Sequence, residues 1–190
     1  MTGVLIAVED AVQPVDGIPY FELVEERFGI PRRVFEPYVV FQPNKQNLWI
    51  VDRGLRIPDR PPHHTVGIPF FYVNMRFPRL TTLAAVKFGH DAVRNVFDAS
   101  DGETAMLLHR HEIRVDRGRA ASMTGHGYVM LRRHGLPIGL GFFHPEDDGD
   151  WLRGMLPRSW VVRTGIPSPV VPDLETTDGA TWESDMETGR

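Results

Sequence analysis

The stretch that most restricts how this chain can fold runs from Gly127 to Arg163. Across Tyr128–Arg133, Val129 and Leu131 fall on one side and Tyr128, Met130 and Arg132 on the other, the two-residue period of a strand. His134-Gly135-Leu136-Pro137 supplies a turn, because glycine accepts positive φ and proline pre-sets its own φ. Ile138–Phe143 alternates again, with Ile138, Leu140 and Phe142 on one face and Gly139 and Gly141 on the other. A strand face without side chains lets a second backbone or a ligand come close. A third strand is expected at Trp160–Val162, reached through Met155-Leu156-Pro157-Arg158.

Upstream, the residues predict mixed elements. Met1–Gly17 has no clear period and reads as a strand-like or loose leader. Asp16 can cap a helix that carries Tyr20, Phe21, Val24 and Phe28 on one side and closes at Gly29. Val34–Phe41 and Leu48–Asp52 read as a hairpin around the turn at Pro43–Asn47, and Arg53–His64 as a loop rich in proline and arginine. In Val66–Met75 both alternating faces are apolar, so both are expected to be covered. Thr81 or Thr82 caps a short helix through Phe88, more plausible for this pair than a phosphate site, and Val93–Phe97 reads as a short strand. Ser100 and Glu103 have capping-box spacing before a helix through His109. His111–Arg119 is expected to open a second domain, with a boundary near His109.

The chain has 190 residues, 42% of them hydrophobic, enough for one large or two small domains with a proper core. No apolar run approaches a membrane span, and Gly3–Val8 lacks the basic start of a signal peptide, so a cytoplasmic protein is expected. The absence of cysteine excludes disulfides, thiolate metal sites and cysteine nucleophiles. The formal net charge is −4, but six acids and one base lie beyond Pro167. The remainder holds 19 acids and 20 bases, near neutrality, so non-specific affinity for nucleic acid should be modest and salt-sensitive. The tail, residues 167–190, has the composition of a disordered segment.

GYVMLRRHGLPIGLG at Gly127–Gly141, followed by RGMLPR at Arg153–Arg158, resembles the C-terminal PUA-like RNA-binding domain of NOL/NOP/fmu-type RNA methyltransferases. It is also similar to the C-terminal domain of the ribosome-biogenesis factor NIP-seven. RFGIP at Arg27–Pro31, LTTLAAVKFG at Leu80–Gly89 and AVRNVFD at Ala92–Asp98 resemble the pre-PUA region of the same proteins. The resemblance implies an α+β protein: a mixed α/β pre-PUA-like domain over residues 1–108, a small PUA-like β-barrel over 109–166 and the acidic tail. It implies binding of structured RNA, ribosomal or transfer RNA, as an accessory to ribosome biogenesis or RNA modification, with an RNA-modification or ribosome-assembly protein as a further partner. Those methyltransferases attack the base with a cysteine; this chain has none, and no glycine-rich loop after a strand offers a place for S-adenosylmethionine. The expectation is therefore a non-enzyme without a cofactor.

The candidate RNA-contacting residues are Arg132, Arg133 and His134 at the strand end and turn, and Arg153 and Arg158 around the Leu-Pro step, where they could fold back beside the turn. The planar guanidinium fork suits phosphate oxygens. Against this stands a solvated strand end paired with Glu146, Asp147, Asp148 and Asp150. Arg79 and Lys87 near the first-domain helix, and the basic run Arg114, Arg117 and Arg119, rank second. Tyr128, Phe142, Phe143 and Trp160 read as core; Trp151, in a polar loop, is the aromatic best placed to stack a base. The histidines, His63-His64 and His109/His111 among them, have no recognisable metal spacing. The rival reading is a protein–protein adaptor with a PUA-like fold that has lost RNA binding. Arg132, Arg133, His134, Arg153 and Arg158 gathered on one face would favour RNA, and scatter among acids the adaptor.

Overall fold

The structure, a computed structural model, describes residues 5–58, 66–147 and 149–160. The expected strand at Trp160–Val162 (beyond its first residue), the pair His63-His64 and the acidic tail lie outside the described residues. In chain order the elements are β1 (Leu5–Ala7), α1 (Val8–Ala11), α2 (Ile18–Phe28), β2 (Tyr38–Phe41), β3 (Asn47–Asp52), β4 (Arg56–Pro58), β5 (Ile68–Tyr72), β6 (Arg79–Leu80) and α3 (Thr82–Phe88). They continue with β7 (Val96–Asp98), α4 (Asp101–Leu108), β8 (Glu112–Val115), α5 (Arg117–Ala120), β9 (Gly127–Arg133), β10 (Leu136–Glu146) and β11 (Gly149–Gly154). The fold is α+β.

A four-stranded antiparallel sheet runs β2-β3-β5-β6, and a five-stranded sheet runs β7-β9-β10-β11-β8. In the second, β7 lies parallel to β9 and the other pairs are antiparallel. The first sheet packs α2 and α3 against one face around Phe35, Phe70, Phe71 and Phe88, and that core continues onto the second sheet through Met130 and Leu140. The opposite face of the first sheet is covered by Val8 of α1 and Ile57 of β4, in the small β1–β4 ladder. The opposite face of the second sheet packs on α4 and α5 through Leu107, Ala120, Val129, Leu131 and Leu152. Both sheets thus bury both faces in part, as the continuous apolar run in β5 requires. The boundary expected after residue 108 falls between α4 and β8, and both elements pack in this second layer together with β7.

Local chemistry explains the element ends. The Asp16 carboxylate accepts from the Ile18 amide at 2.9 Å, and α2 stops at Gly29, whose φ of 68° is open to glycine. Asn44 turns the β2–β3 hairpin by accepting from the Gln46 and Asn47 amides, both at 2.9 Å. Buried Thr81 caps α3 through the Ala84 amide and donates its hydroxyl to the Pro69 carbonyl, so it is a cap and not an anion site. Ser100 and Glu103 close a reciprocal capping box on α4.

Several elements differ from expectation. Val34–Phe41 is not one strand: a 3-10 turn at Arg32–Phe35 precedes β2. The leader and the Arg53 loop pair as β1 with β4. His111–Arg119 splits into β8 and α5, because Asp116 accepts from the Arg119 amide and starts a helical turn. The third strand of the central stretch is β11, paired with β10 along Gly141–Glu146, while Trp160 lies in a 3-10 turn. A register shift between Pro137 and Gly139 puts Ile138 in the second core and Leu140 in the first, so these two do not share a face. The bare face at Gly139 and Gly141 is filled by protein. A Cβ at Gly139 would lie 2.5 Å from Leu156, and one at Gly141 2.9 Å from Leu152.

Candidate nucleic-acid interface

The expected basic residues go to separate places. Arg132 is half-buried, and its Nη2 lies 2.8, 3.1 and 2.6 Å from the carbonyl oxygens of Gly89, His90 and Ala92. These carbonyls lie in the 3-10 turn Gly89–Asp91 that follows α3 and at Ala92 just after it, so the guanidinium is an internal clamp between the sheet and the segment leaving the helix end. Arg133 and His134, both exposed, share Asp101 at the start of α4, at 2.8 and 3.0 Å. The Arg133 hydrogen bond and the nearby His134 hold the Asp101 carboxyl below the usual carboxylate range. The acid facing the turn is therefore Asp101 of α4 and not the Glu146–Asp150 loop. Sheet register sets Arg153 opposite Phe142 and hence in the row of Tyr128, on the far side of β10 and five positions along from Arg133. At about 3.4 Å per residue that is roughly 17 Å, so Arg153 does not join the turn. The side chain of Arg158 lies outside the described part of the structure.

The second-rank residues also separate. Arg119 binds Glu103 at 2.6 Å and the Asp98 carbonyl at 2.6 Å, and lies 3.9 Å from the centre of the Phe97 ring. Burial pushes the Glu103 carboxyl up, but hydrogen bonds from Arg119 and Ser100 outweigh it and hold the group low. Arg119 thus joins α5 to α4. Lys87 sits over the rings of Tyr38 and Phe88 at 5.4 and 5.6 Å. Arg114 lies 6.0 Å from the ring of Trp151, which is half-buried in β11 opposite His144. Arg117 is exposed on α5.

Arg79 and Arg153 come together at a separate site. They line an open cleft of about 430 Å³ between the β5–β6 connection and the face of β9, β10 and β11. One wall is a row across the sheet: Tyr128, Phe142 and Arg153 stand opposite one another, with His144 one row further along. The facing wall is Met75, Arg76 and Phe77 of the connection, with Arg79 at the start of β6. His126, from the loop before β9, and Met155 complete it. Among the described residues the lining holds three arginines and two histidines and no carboxylate.

The rings form a continuous group. Phe142 meets Tyr128 edge-on at 4.9 Å, Phe77 at 6.3 Å, His126 at 5.0 Å and His144 at 4.8 Å. Arg76 lies 5.3 Å from the Phe77 centroid, and Arg79 lies 5.4 and 5.7 Å from those of Tyr72 and Tyr128, within the range of cation–π attraction. The Tyr128 hydroxyl donates to the Phe77 carbonyl at 3.2 Å and so ties the two walls together. Burial raises the pKa of that hydroxyl, keeping it protonated as a donor. Burial, then the neighbouring His126, pushes the His144 imidazole down, so it is neutral near pH 7.

The loop that carries His126 is held by Asn95, whose amide nitrogen donates to the Arg27 carbonyl at 2.6 Å and to Thr124 Oγ1 at 2.9 Å. Its amide oxygen accepts from the Thr124 amide at 2.7 Å. Arg27 reaches across from α2 to the carbonyls of Thr124 and Tyr128.

Sequence reasoning missed Met75, Arg76, Phe77, His126 and His144 as site residues, and placed Tyr128 and Phe142 in the core. The same-face spacing of Tyr128 with Met130 and of Leu140 with Phe142 and His144 was readable; that these faces run beyond the covered core was not. Among the described residues no three His, Asp or Glu side chains gather to hold a metal, and no helix is long and apolar enough to cross a membrane. No known protein family and no curated protein matches this chain.

Proposed function

We propose that the chain is a non-catalytic RNA-binding protein of the cytoplasm, an accessory in ribosome biogenesis or RNA modification. In this reading the first sheet with α2 and α3 is a pre-PUA-like unit and the second sheet with α4 and α5 a PUA-like one. The observation that carries the reading is the cleft, where Arg76, Arg79 and Arg153 converge on aromatic rings with no acid among the described lining residues. Arginine forks suit the phosphate backbone, and RNA modules combine such contacts with ring stacking. The interface lies in the cleft rather than at the β9–β10 turn, where Arg132 is committed to carbonyls and Arg133 and His134 to Asp101.

Fluorescence anisotropy with labelled transfer RNA and a ribosomal RNA fragment tests this. Binding should weaken as salt rises, and an Arg79→Glu, Arg153→Glu double variant should lose it. A chain ending at Ile166 sheds six acids and one base and should bind more tightly. No binding to either RNA at low salt would sink the RNA reading. A second reading, a protein–protein adaptor, is favoured by one feature: at the turn, whose charges are already paired, Leu136 is 69% exposed. An adaptor predicts no RNA binding, and loss of its protein partner on Leu136→Lys.

A further inference from the structure

We infer that the cleft receives a single unpaired nucleotide, its base stacked on Phe77 and bordered by Phe142 and its phosphates held by Arg76, Arg79 and Arg153. The inference rests on the RNA reading above and narrows it to one kind of RNA feature. Three observations carry it.

First, the volume is about 430 Å³, within the ~300–1,000 Å³ range of small-molecule sites, whereas a duplex is far too wide to enter. An RNA can fill the cleft only with a nucleotide that has left its helix, at an end, a bulge or a loop. Second, Phe77 is 49% exposed although it is a large apolar ring at the mouth. It is held in place, with its carbonyl accepting from the Tyr128 hydroxyl and its ring 5.3 Å from Arg76 and 6.3 Å from the tilted Phe142 ring. A fixed, exposed ring loses little entropy on stacking a base, and every base presents a π face to it. Third, the charge of the described lining is positive. Arginines stand on both walls, and the nearby carboxylates, Glu112 opposite Arg153 on β8 and Glu146, are not among the described lining residues. An apolar peptide side chain would gain from the rings but nothing from the guanidinium groups; a nucleotide uses both.

The test compares a blunt RNA duplex with the same duplex carrying a short single-stranded overhang that contains a fluorescent adenine analogue. The full chain should bind the overhang form at least about tenfold more tightly, the order that one base–aromatic stack supplies. The analogue's emission should be quenched on binding. Phe77→Ala, at an exposed position that does not threaten folding, should remove both the preference and the quenching, and Phe77→Trp should keep them. Arg133→Ala, at the turn, should leave both unchanged. Equal binding of the two RNAs, or a preference that survives Phe77→Ala, overturns the inference and leaves the RNA reading standing. Failure to bind either RNA at low salt overturns both and returns the cleft to a protein side chain.

Discussion

Asn95 gives the sharpest test of how the cleft is built. It is 1% exposed, has φ of 50°, and its side chain meets the Arg27 carbonyl and the Thr124 amide at 2.6 and 2.7 Å. In Asn95→Ala both backbone groups lose their partner, at about 1–3 kcal/mol each. Alanine must also hold a left-handed backbone that asparagine tolerates, at roughly 1–2 kcal/mol. Thr124 is exposed, so water recovers part of its bond and the low ends of these ranges apply. They come to about 3 kcal/mol. Urea unfolding followed by tryptophan fluorescence reads this as a lower midpoint with an unchanged slope. Asn95→Gly removes the bonds but not the backbone tolerance, and should cost about 1 kcal/mol less than alanine. A loss below about 1 kcal/mol for Asn95→Ala would refute the reasoning, as would a glycine variant as stable as the parent.

Arg132→Ala should cost about 2–3 kcal/mol in the same assay, since it strips a charged donor from three carbonyls, whereas Arg133→Ala should change stability little. Gly154→Ala places a Cβ 2.3 Å from the Leu107 carbonyl oxygen, which is backbone and cannot swing away; about 1–3 kcal/mol should be lost, read as a lower unfolding midpoint. His144 has a folded pKa below its ordinary 6.5, so the unfolded chain takes the proton first. Its contribution is full above that value and is lost as pH falls toward the folded pKa. Urea midpoints should therefore drop as pH falls below the ordinary histidine value of 6.5, and less so in His144→Phe; equal drops in the two proteins would show that the imidazole is not the group responsible.

What this sequence determined by itself is local. The Thr81 cap, the Ser100–Glu103 box, the Gly29 stop and the Tyr128–Phe143 hairpin were legible because each is closed by residues a few positions apart in the chain, whereas α2 is capped by Gly17 and Asp16 only turns the chain into it. Amide, hydroxyl and carboxylate then have few partners to choose from. The fate of the arginines was not legible. Arg132, Arg133 and Arg153 look alike in sequence, yet one clamps a helix end, one pairs with α4 and one lines the cleft. A long cationic side chain takes whatever stands opposite it, and that is fixed by strand register and by which helix packs on which face. The bulge at Pro137–Gly139 is such a decision: it parts Ile138 from Leu140, which a strict two-residue period would keep together. The cleft is another. Its walls come from Met75–Arg79, from His126–Tyr128 and from Phe142–Met155, and only the packing of the two sheets through Met130 and Leu140 sets these segments face to face.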